Sequence, residues 1–290
     1  MPSYIVPKSL AAMSARDFLQ KHAGISLNLW RKIKHHDKFY INGQKAHPTT
    51  AFVIPNDEIS YTIEESTSIT AVKLPLDICY EDDYLLIINK PAGQLVHPTT
   101  KERMNSLANA VLYHYKQTKQ DYIFHPVHRL DRNTSGLVLI AKLPQIQHQL
   151  SDQNNKRFHR IYKAIIEGTL IPSAGTINAP IDRKAGSIIE RIVSASGKEA
   201  ITHYRTLQTS DKLSLLKIEL DTGRTHQIRV HLAYLSHPLL GDDLYGGNHD
   251  ILTRQALHAC QISFFHPITN KSVDISCPLP PDMARIVSSF

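Results

Sequence analysis

The stretch His-Arg-Leu-Asp-Arg-Asn-Thr-Ser-Gly-Leu-Val-Leu-Ile-Ala-Lys at 128–142 constrains the chain most, because a polar head and an apolar tail meet in it. The unbroken apolar run at 137–141 is the pattern of a strand buried on both faces, and Ser135-Gly136 before it supplies turn chemistry. Asp131 then lies on a loop feeding a rigid strand, where catalytic groups are commonly placed. Two arginines and a histidine within three residues surround it with positive charge. Taken alone, the head reads equally well as a polar turn whose Asp and Asn bond their own backbone.

The 290 residues, 42% of them hydrophobic, suffice for a sizeable core and predict one large domain with a smaller companion, or two domains. The longest apolar runs, such as Tyr-Leu-Leu-Ile-Ile at 84–88, are strand-sized and far short of the ~20 residues a membrane span needs, so no membrane partner is expected. The first residues lack the basic head and apolar core of a signal peptide. Cys79, Cys260 and Cys277 are few and far apart, which offers no disulfide framework and no closely spaced metal site. We therefore expect a cytoplasmic protein, and a monomer. With 33 Lys and Arg against 26 Asp and Glu, the formal charge of +7 favours a polyanionic partner, although the placement of the charges must decide.

Along the chain, Ser14 with Asp17 three residues on resembles a capping box, and a second helix start falls at Ser26. Leu29 and Ile33 share one face of that helix, while Arg31, Lys32, Lys34, His35 and His36 crowd the remainder and the following turn. Strands are predicted at 38–41 and 57–63, with Asn42-Gly43 as a tight turn between them. A basic helix beside a hairpin favours nucleic-acid phosphate contact over a merely solvated face. Residues 26–43, with the Gly24-Ile25-Ser26 lead-in and the Tyr40-Ile41-Asn42-Gly43-Gln44 hairpin, resemble an S4-type RNA-binding domain. We place that module at 14–63, within an amino-terminal unit of 1–68 that ends in a polar linker at 64–68, and a second domain at 69–290.

In the second domain, strands are predicted at 78–80, 85–89, 160–167, 176–181, 200–207, 213–220, 256–265 and 271–277. Helices are predicted at 105–115 and 146–150, the stretch 222–232 is expected to start at a turn and continue as a helix, and the prolines at 278, 280 and 281 are expected to end regular structure. Runs of strands without regular intervening helices predict an α+β domain with a mixed, mainly antiparallel sheet. The sequence has no His-Glu-x-x-His set, Gly-x-Ser-x-Gly elbow, P-loop or dinucleotide fingerprint, so metal-free, cofactor-free chemistry is expected.

Together, His128-Arg129-Leu130-Asp131 with Thr134-Ser135-Gly136-Leu137, Asn89-Lys90-Pro91-Ala92-Gly93, His97-Pro98 and Gly223-Arg224-Thr225-His226-Gln227-Ile228-Arg229 resemble the RluA family of RNA pseudouridine synthases. Gly197-Lys198-Glu199-Ala200, His237-Pro238-Leu239-Leu240-Gly241-Asp242, Tyr245-Gly246 and Leu257-His258-Ala259 follow in the same order, so the resemblance spans roughly 72–280. It implies isomerisation of a uridine in RNA, with ribosomal RNA expected before transfer RNA. Asp131 matches the catalytic aspartate, Arg224 its charge partner, and Tyr162 the tyrosine that stacks on the base near the C5 proton. A phenol with a pKa near ~10 is a poor base unless tuned. Arg129 matches the residue that fills the space left by a flipped base, and Arg160 a basic residue expected to meet phosphate. Ile228 is expected to pack on the uracil or in the helix core. His128 is a candidate RNA contact beside Arg129, with hydrogen-bonded scaffold the simpler reading for it, for His97 and for His226. The rival readings are an RNA-binding assembly factor without catalysis, against which the intact Asp131, Tyr162 and Arg224 set argues, and a nucleoside or glycoside hydrolase with Asp131 as nucleophile, whose usual second carboxylate is missing from these motifs.

Overall fold

A computed structural model of the chain describes residues 3–35, 38–63, 65–151 and 158–290. His36 of the basic run, Glu64 of the expected linker and the first two residues lie outside them.

The predicted apolar strand is the centre of the molecule. Ser135–Ala141 is buried at every position. Its side chains alternate, as the two-residue period of a strand requires. Leu137, Leu139 and Ala141 pack with Leu85, Ile87, Ile146 and Leu150 on one face, and Val138 and Ile140 pack with Leu86, Ile88, Val111 and Ala164 on the other. The strand pairs antiparallel with Leu85–Lys90 and parallel with Leu257–Phe265. Gly136 has φ 113°, and a Cβ there would lie 2.3 Å from the Ala259 carbonyl oxygen, so the parallel pairing demands glycine.

Across this ten-stranded sheet run Ala174–Asn178, Ile201–Thr209, Leu213–Leu220, Phe158–Glu167, Leu257–Phe265, Ser135–Ala141, Leu85–Lys90 and Ile78–Glu81. Apart from the one parallel pair, the described pairings in it are antiparallel, in keeping with the expected mixed, mainly antiparallel sheet. The helix Leu107–Gln117, capped by Ser106 and Asn109, covers one face and buries Val111, Leu112 and Tyr115.

Residues 3–63 build a core of their own from Phe18, Leu19, Leu29, Trp30, Ile33, Phe39 and Ile59. Ser14 Oγ accepts from the Asp17 amide and Ser26 Oγ from the Leu29 amide, each at 3.0 Å, and these caps start the helices Ala15–Lys21 and Leu27–Ile33. Glu65 ties this unit to the rest, its carboxylate accepting from Lys32 Nζ at 3.1 Å and meeting His125 Nε2 at 2.9 Å.

Two expectations are corrected. Regular structure does not end at the prolines: Pro280 caps a helix, Pro281–Val287, whose Met283 is buried beside Ile165 and Leu240. Proline suits a first helical turn because its missing N–H has no partner there anyway. The strand expected at 176–181 divides at Ala179-Pro180, and Ile181–Arg183 instead forms a hairpin with Arg191–Val193. The stretch 222–232 opens with a turn and continues as a helix, as expected: His226 adopts φ 58° and the helix runs Gln227–Tyr234. Among the described residues no helix is long and apolar enough to cross a membrane.

Candidate active site

The loop 127–134 delivers Asp131 to the head of the central strand and is held from three sides. Lys90, fully buried, donates to the carbonyls of Pro91 and Gln94 at 2.8 Å and of Arg132 at 3.0 Å. Burial lowers this amine to about 7, but three carbonyl acceptors occupy all three ammonium hydrogens and favour its charged form. Gly93 N donates to the Arg132 carbonyl at 2.9 Å, Arg132 pairs with Glu102 at 2.6 Å, and Arg254 donates to the Asn133 carbonyl at 3.2 Å. Thr134 N closes the turn on the Asp131 carbonyl at 3.1 Å.

The carboxylate of Asp131 faces Arg229, whose Nη1 lies 3.3 Å from Oδ2. Arg229 is itself clamped from behind, because Nε and Nη2 each donate at 2.7 Å to the two oxygens of the fully buried Asp242. This bidentate fork leaves Nη1 directed at Asp131. Burial opposes the charge on Arg229, and the bonds to Asp242 and Asp131 outweigh it, so the group is held above its ordinary value. The guanidinium also lies 5.0 Å from the centroid of the Tyr245 ring.

A second line of polar groups leads toward the same carboxylate. Tyr245 Oη accepts from the Arg191 amide at 2.9 Å and meets His226 Nδ1 at 2.8 Å. The other ring nitrogen of His226, Nε2, lies 3.8 Å from Asp131 Oδ2. Burial keeps His226 below the usual imidazole value although Asp131 pulls the other way.

In front of Asp131 opens a solvent-exposed cleft, lined by Arg129, Arg160, Tyr162, Arg224, Ile228 and Leu257 among others. Its lining mixes charged and apolar side chains, as ligand clefts do. Tyr162 enters it from Phe158–Glu167 at a register shift against Leu257–Phe265, a bulge of the kind that re-aims side chains beside active sites. Burial raises the Tyr162 phenol above its ordinary value; Arg160 opposes the shift and Asp131 adds to it. Arg129 is exposed at the rim, and Arg160 leans on the Phe158 ring at 5.3 Å. Ile228 reconciles its two readings, for it lines the cleft while belonging to the main core.

Two site expectations are corrected by this geometry. Arg224 does not pair with Asp131: its Nε donates to the Glu199 carbonyl at 2.8 Å at the cleft's edge, and Arg229 holds the carboxylate instead. His128 does not face the cleft; its Nε2 accepts from the Leu139 amide at 3.1 Å and its ring lies 5.0 Å from that of Phe158. Burial, helped by the charge of Arg160, holds His128 well below the ordinary imidazole range, so it is neutral scaffold. Arg31, Lys32 and Lys34 lie exposed on or just after the helix Leu27–Ile33, outside the cleft lining. Sequence reasoning missed Arg229, Asp242 and Tyr245 as parts of the site.

Comparison with known proteins places this arrangement. Residues 84–234, which include Asp131, Tyr162 and Arg229, match the family model described as RNA pseudouridylate synthase. YjbO, an uncharacterized RNA pseudouridine synthase of Bacillus subtilis, is 40% identical over 271 residues, 91% of this chain and 95% of its own. The ribosomal large subunit pseudouridine synthase D of Xanthomonas campestris is 37% identical over 248 residues, 80% of this chain and 75% of its own. Among solved structures, human RNA pseudouridylate synthase domain containing 4 shares the fold, with a TM-score of 0.60 at 24% identity over 73% of this chain and 92% of that one. The chain therefore belongs to the RNA pseudouridylate synthase family, is of the RluA type, and is an RNA pseudouridine synthase.

Proposed function

We propose that this enzyme isomerises uridine in large-subunit ribosomal RNA with Asp131 as its nucleophile. The observation that carries the assignment is the buried Asp242–Arg229 fork, which holds one carboxylate ready at the mouth of an open cleft lined by basic and apolar side chains. The ribosomal substrate is supported by relatives named ribosomal large subunit pseudouridine synthase D, at 37% identity over 80% of this chain in Xanthomonas campestris.

The carboxylate adds either to the ribose C1′, displacing N1 of the base, or to the uracil ring. In both courses the detached base turns and is rejoined to C1′ through C5; the C5 proton is lost and N1 takes one up. Substrate and product are isomers, so no oxidant, reductant or cofactor is consumed. Arg229 stabilises the attacking carboxylate and receives it again when the adduct collapses. Tyr162 is a neutral phenol at neutral pH, and we assign it to packing against the base, because it would have to lose its own proton before it accepted one. Arg129, exposed at the rim, fills the place of the flipped uridine and offsets the few kcal/mol that unstacking costs. Arg160 and Arg224 meet phosphates at the cleft's edge. Residues 1–68 act as an S4-type RNA-binding unit through Arg31, Lys32 and Lys34, tethering the RNA and raising its effective concentration at the domain of 69–290.

The test is tritium release from unmodified large-subunit ribosomal RNA labelled at uridine C5. The wild type releases tritium and Asp131→Asn does not. Equal release by both would remove Asp131 from the chemistry, and no release by the wild type would remove this RNA as substrate.

A further inference from the structure

A second groove adjoins the cleft, lined by Asp182, Arg183, Arg191, Lys198 and Arg224 among others. Gly223, Arg224 and Thr225 belong to both linings, so the two depressions share a wall. Four cationic side chains face one carboxylate in it. Arg183 and Lys198 are exposed, and neither has an acidic partner among the described residues. Arg191 closes the turn of its hairpin by donating to the carbonyls of Ile189 at 3.1 Å and Glu190 at 3.0 Å.

The arrangement is built in. Ile181–Arg183 pairs with Arg191–Val193, and Lys198 is brought against Ile181 by an isolated bridge. A Cβ on Gly197 would lie 2.5 Å from the Ile181 carbonyl carbon, so glycine is required to seat Lys198 there. The bond from the Arg191 amide to Tyr245 fixes the hairpin to the chain of groups that ends at Asp131. The hairpin tip is apolar where a solvated turn is ordinarily polar: Ile188 is 82% and Ile189 56% exposed. Apolar side chains beside unpaired cations are the chemistry of proteins that wedge open stacked bases while gripping the backbone.

We propose that the hairpin 181–193, with Lys198, is a second RNA-binding surface of this enzyme. Its groove receives the phosphates of nucleotides flanking the flipped uridine, and Ile188 and Ile189 pack on a base that flipping leaves unstacked. This rests on RNA being held in the adjoining cleft as proposed above.

Binding of unmodified large-subunit ribosomal RNA, transcribed in vitro, is measured against salt in the Asp131→Asn background, so that turnover plays no part. Arg183→Gln with Lys198→Gln lowers the slope of log affinity against log salt by about 1.4, two phosphates at about 0.7 each for single strands. Lys116→Gln with Lys119→Gln removes the same charge from exposed sites outside both grooves and leaves the slope unchanged. Ile188→Ser with Ile189→Ser lowers affinity several-fold at constant slope, since apolar contacts release no counterions. Equal slopes for the groove and control pairs would overturn the phosphate groove, and wild-type affinity of the isoleucine pair would overturn the base contact. Tritium release by the wild type, measured in parallel, reports separately on the functional assignment.

Discussion

The cleft around Asp131 and the helix Leu27–Ile33 both gather positive charge, yet they present it in opposite ways. Arg229 is 7% exposed, every one of its hydrogen bonds goes to a carboxylate, and its own position is dictated by the fully buried Asp242. Arg31, Lys32 and Lys34 stand in solvent; Lys32 reaches Glu65 at 3.1 Å and Arg31 the nearby Asn28 at 3.3 Å. A desolvated charge held by a fork costs stability unless its partners are in place, and in return it fixes one atom in one location. An exposed charge costs almost nothing and fixes nothing, but it exchanges readily with counterions and so serves affinity. The molecule thus separates positioning from attraction, and substitutions in the two regions should fail in different ways.

The sharpest break is Asp242→Ala. It leaves the Arg229 guanidinium buried with Asp131 as its remaining carboxylate, and removal of one member of a buried pair costs about 3–5 kcal/mol. The expected result is a large fall in Tm together with loss of tritium release, because Nη1 is no longer aimed. Arg224→Ala, in contrast, removes a half-exposed side chain bonded to a backbone carbonyl. It should weaken RNA binding while leaving Tm near that of the wild type. If Arg224→Ala proved the more destabilising of the two, the division between buried positioning and exposed attraction would be wrong.

The same division sets the response to acid. Burial lowers the pKa of His128, His226, His231 and His258, the last to about 4. Below about 6.5 the unfolded chain takes up protons that these buried rings refuse, so stability is fully present above that pH and declines as pH falls. The share of His258 is complete only near its folded value of about 4, where the difference amounts to about 3 kcal/mol. Thermal unfolding at pH 7.5, 6 and 5 should show Tm falling stepwise, with a shallower fall in His258→Gln. An unchanged Tm across that range would mean that the rings are not desolvated in solution.

How far the sequence reveals this follows from which forces are local. The strand Ser135–Ala141 is legible because five consecutive apolar residues can be buried on both faces only, and the caps at Ser14 and Ser26 are legible because the donor and acceptor lie three residues apart. Asp131 is placed on its loop for the same reason. The choice between Arg224 and Arg229 is not local: it depends on His226 turning to φ 58° and starting the helix at Gln227, which carries Arg229 inward to Asp242. One sequence signal did exist, since Asp242 follows the apolar Pro238-Leu239-Leu240-Gly241 and a carboxylate buried there requires a cation. The hairpin of Ile181–Arg183 and Arg191–Val193 has strands of only three residues, too short for any periodicity, and is set by tertiary contacts such as Arg191 with Tyr245.

The smallest effect on stability is expected at the exposed end of the comparison. Replacing Arg31, Lys32 and Lys34 together by Gln removes three charges from solvent-facing positions and gives up one exposed ion pair, to Glu65. Surface pairs are worth about 0–1 kcal/mol, so Tm should barely move. Helix propensity is also preserved, because Gln ranks with Lys and Arg, and the apolar face of Leu29, Trp30 and Ile33 is untouched. Binding behaves otherwise: if each side chain meets one phosphate, the salt slope falls by about 2, or 0.7 for each of three contacts. The maximal rate of tritium release at saturating RNA should be that of the wild type, since none of the three lines the cleft. A loss of maximal rate with an unchanged slope would assign the helix to positioning after all, and would show that exposed charge in this enzyme acts through the active-site geometry rather than through the RNA backbone.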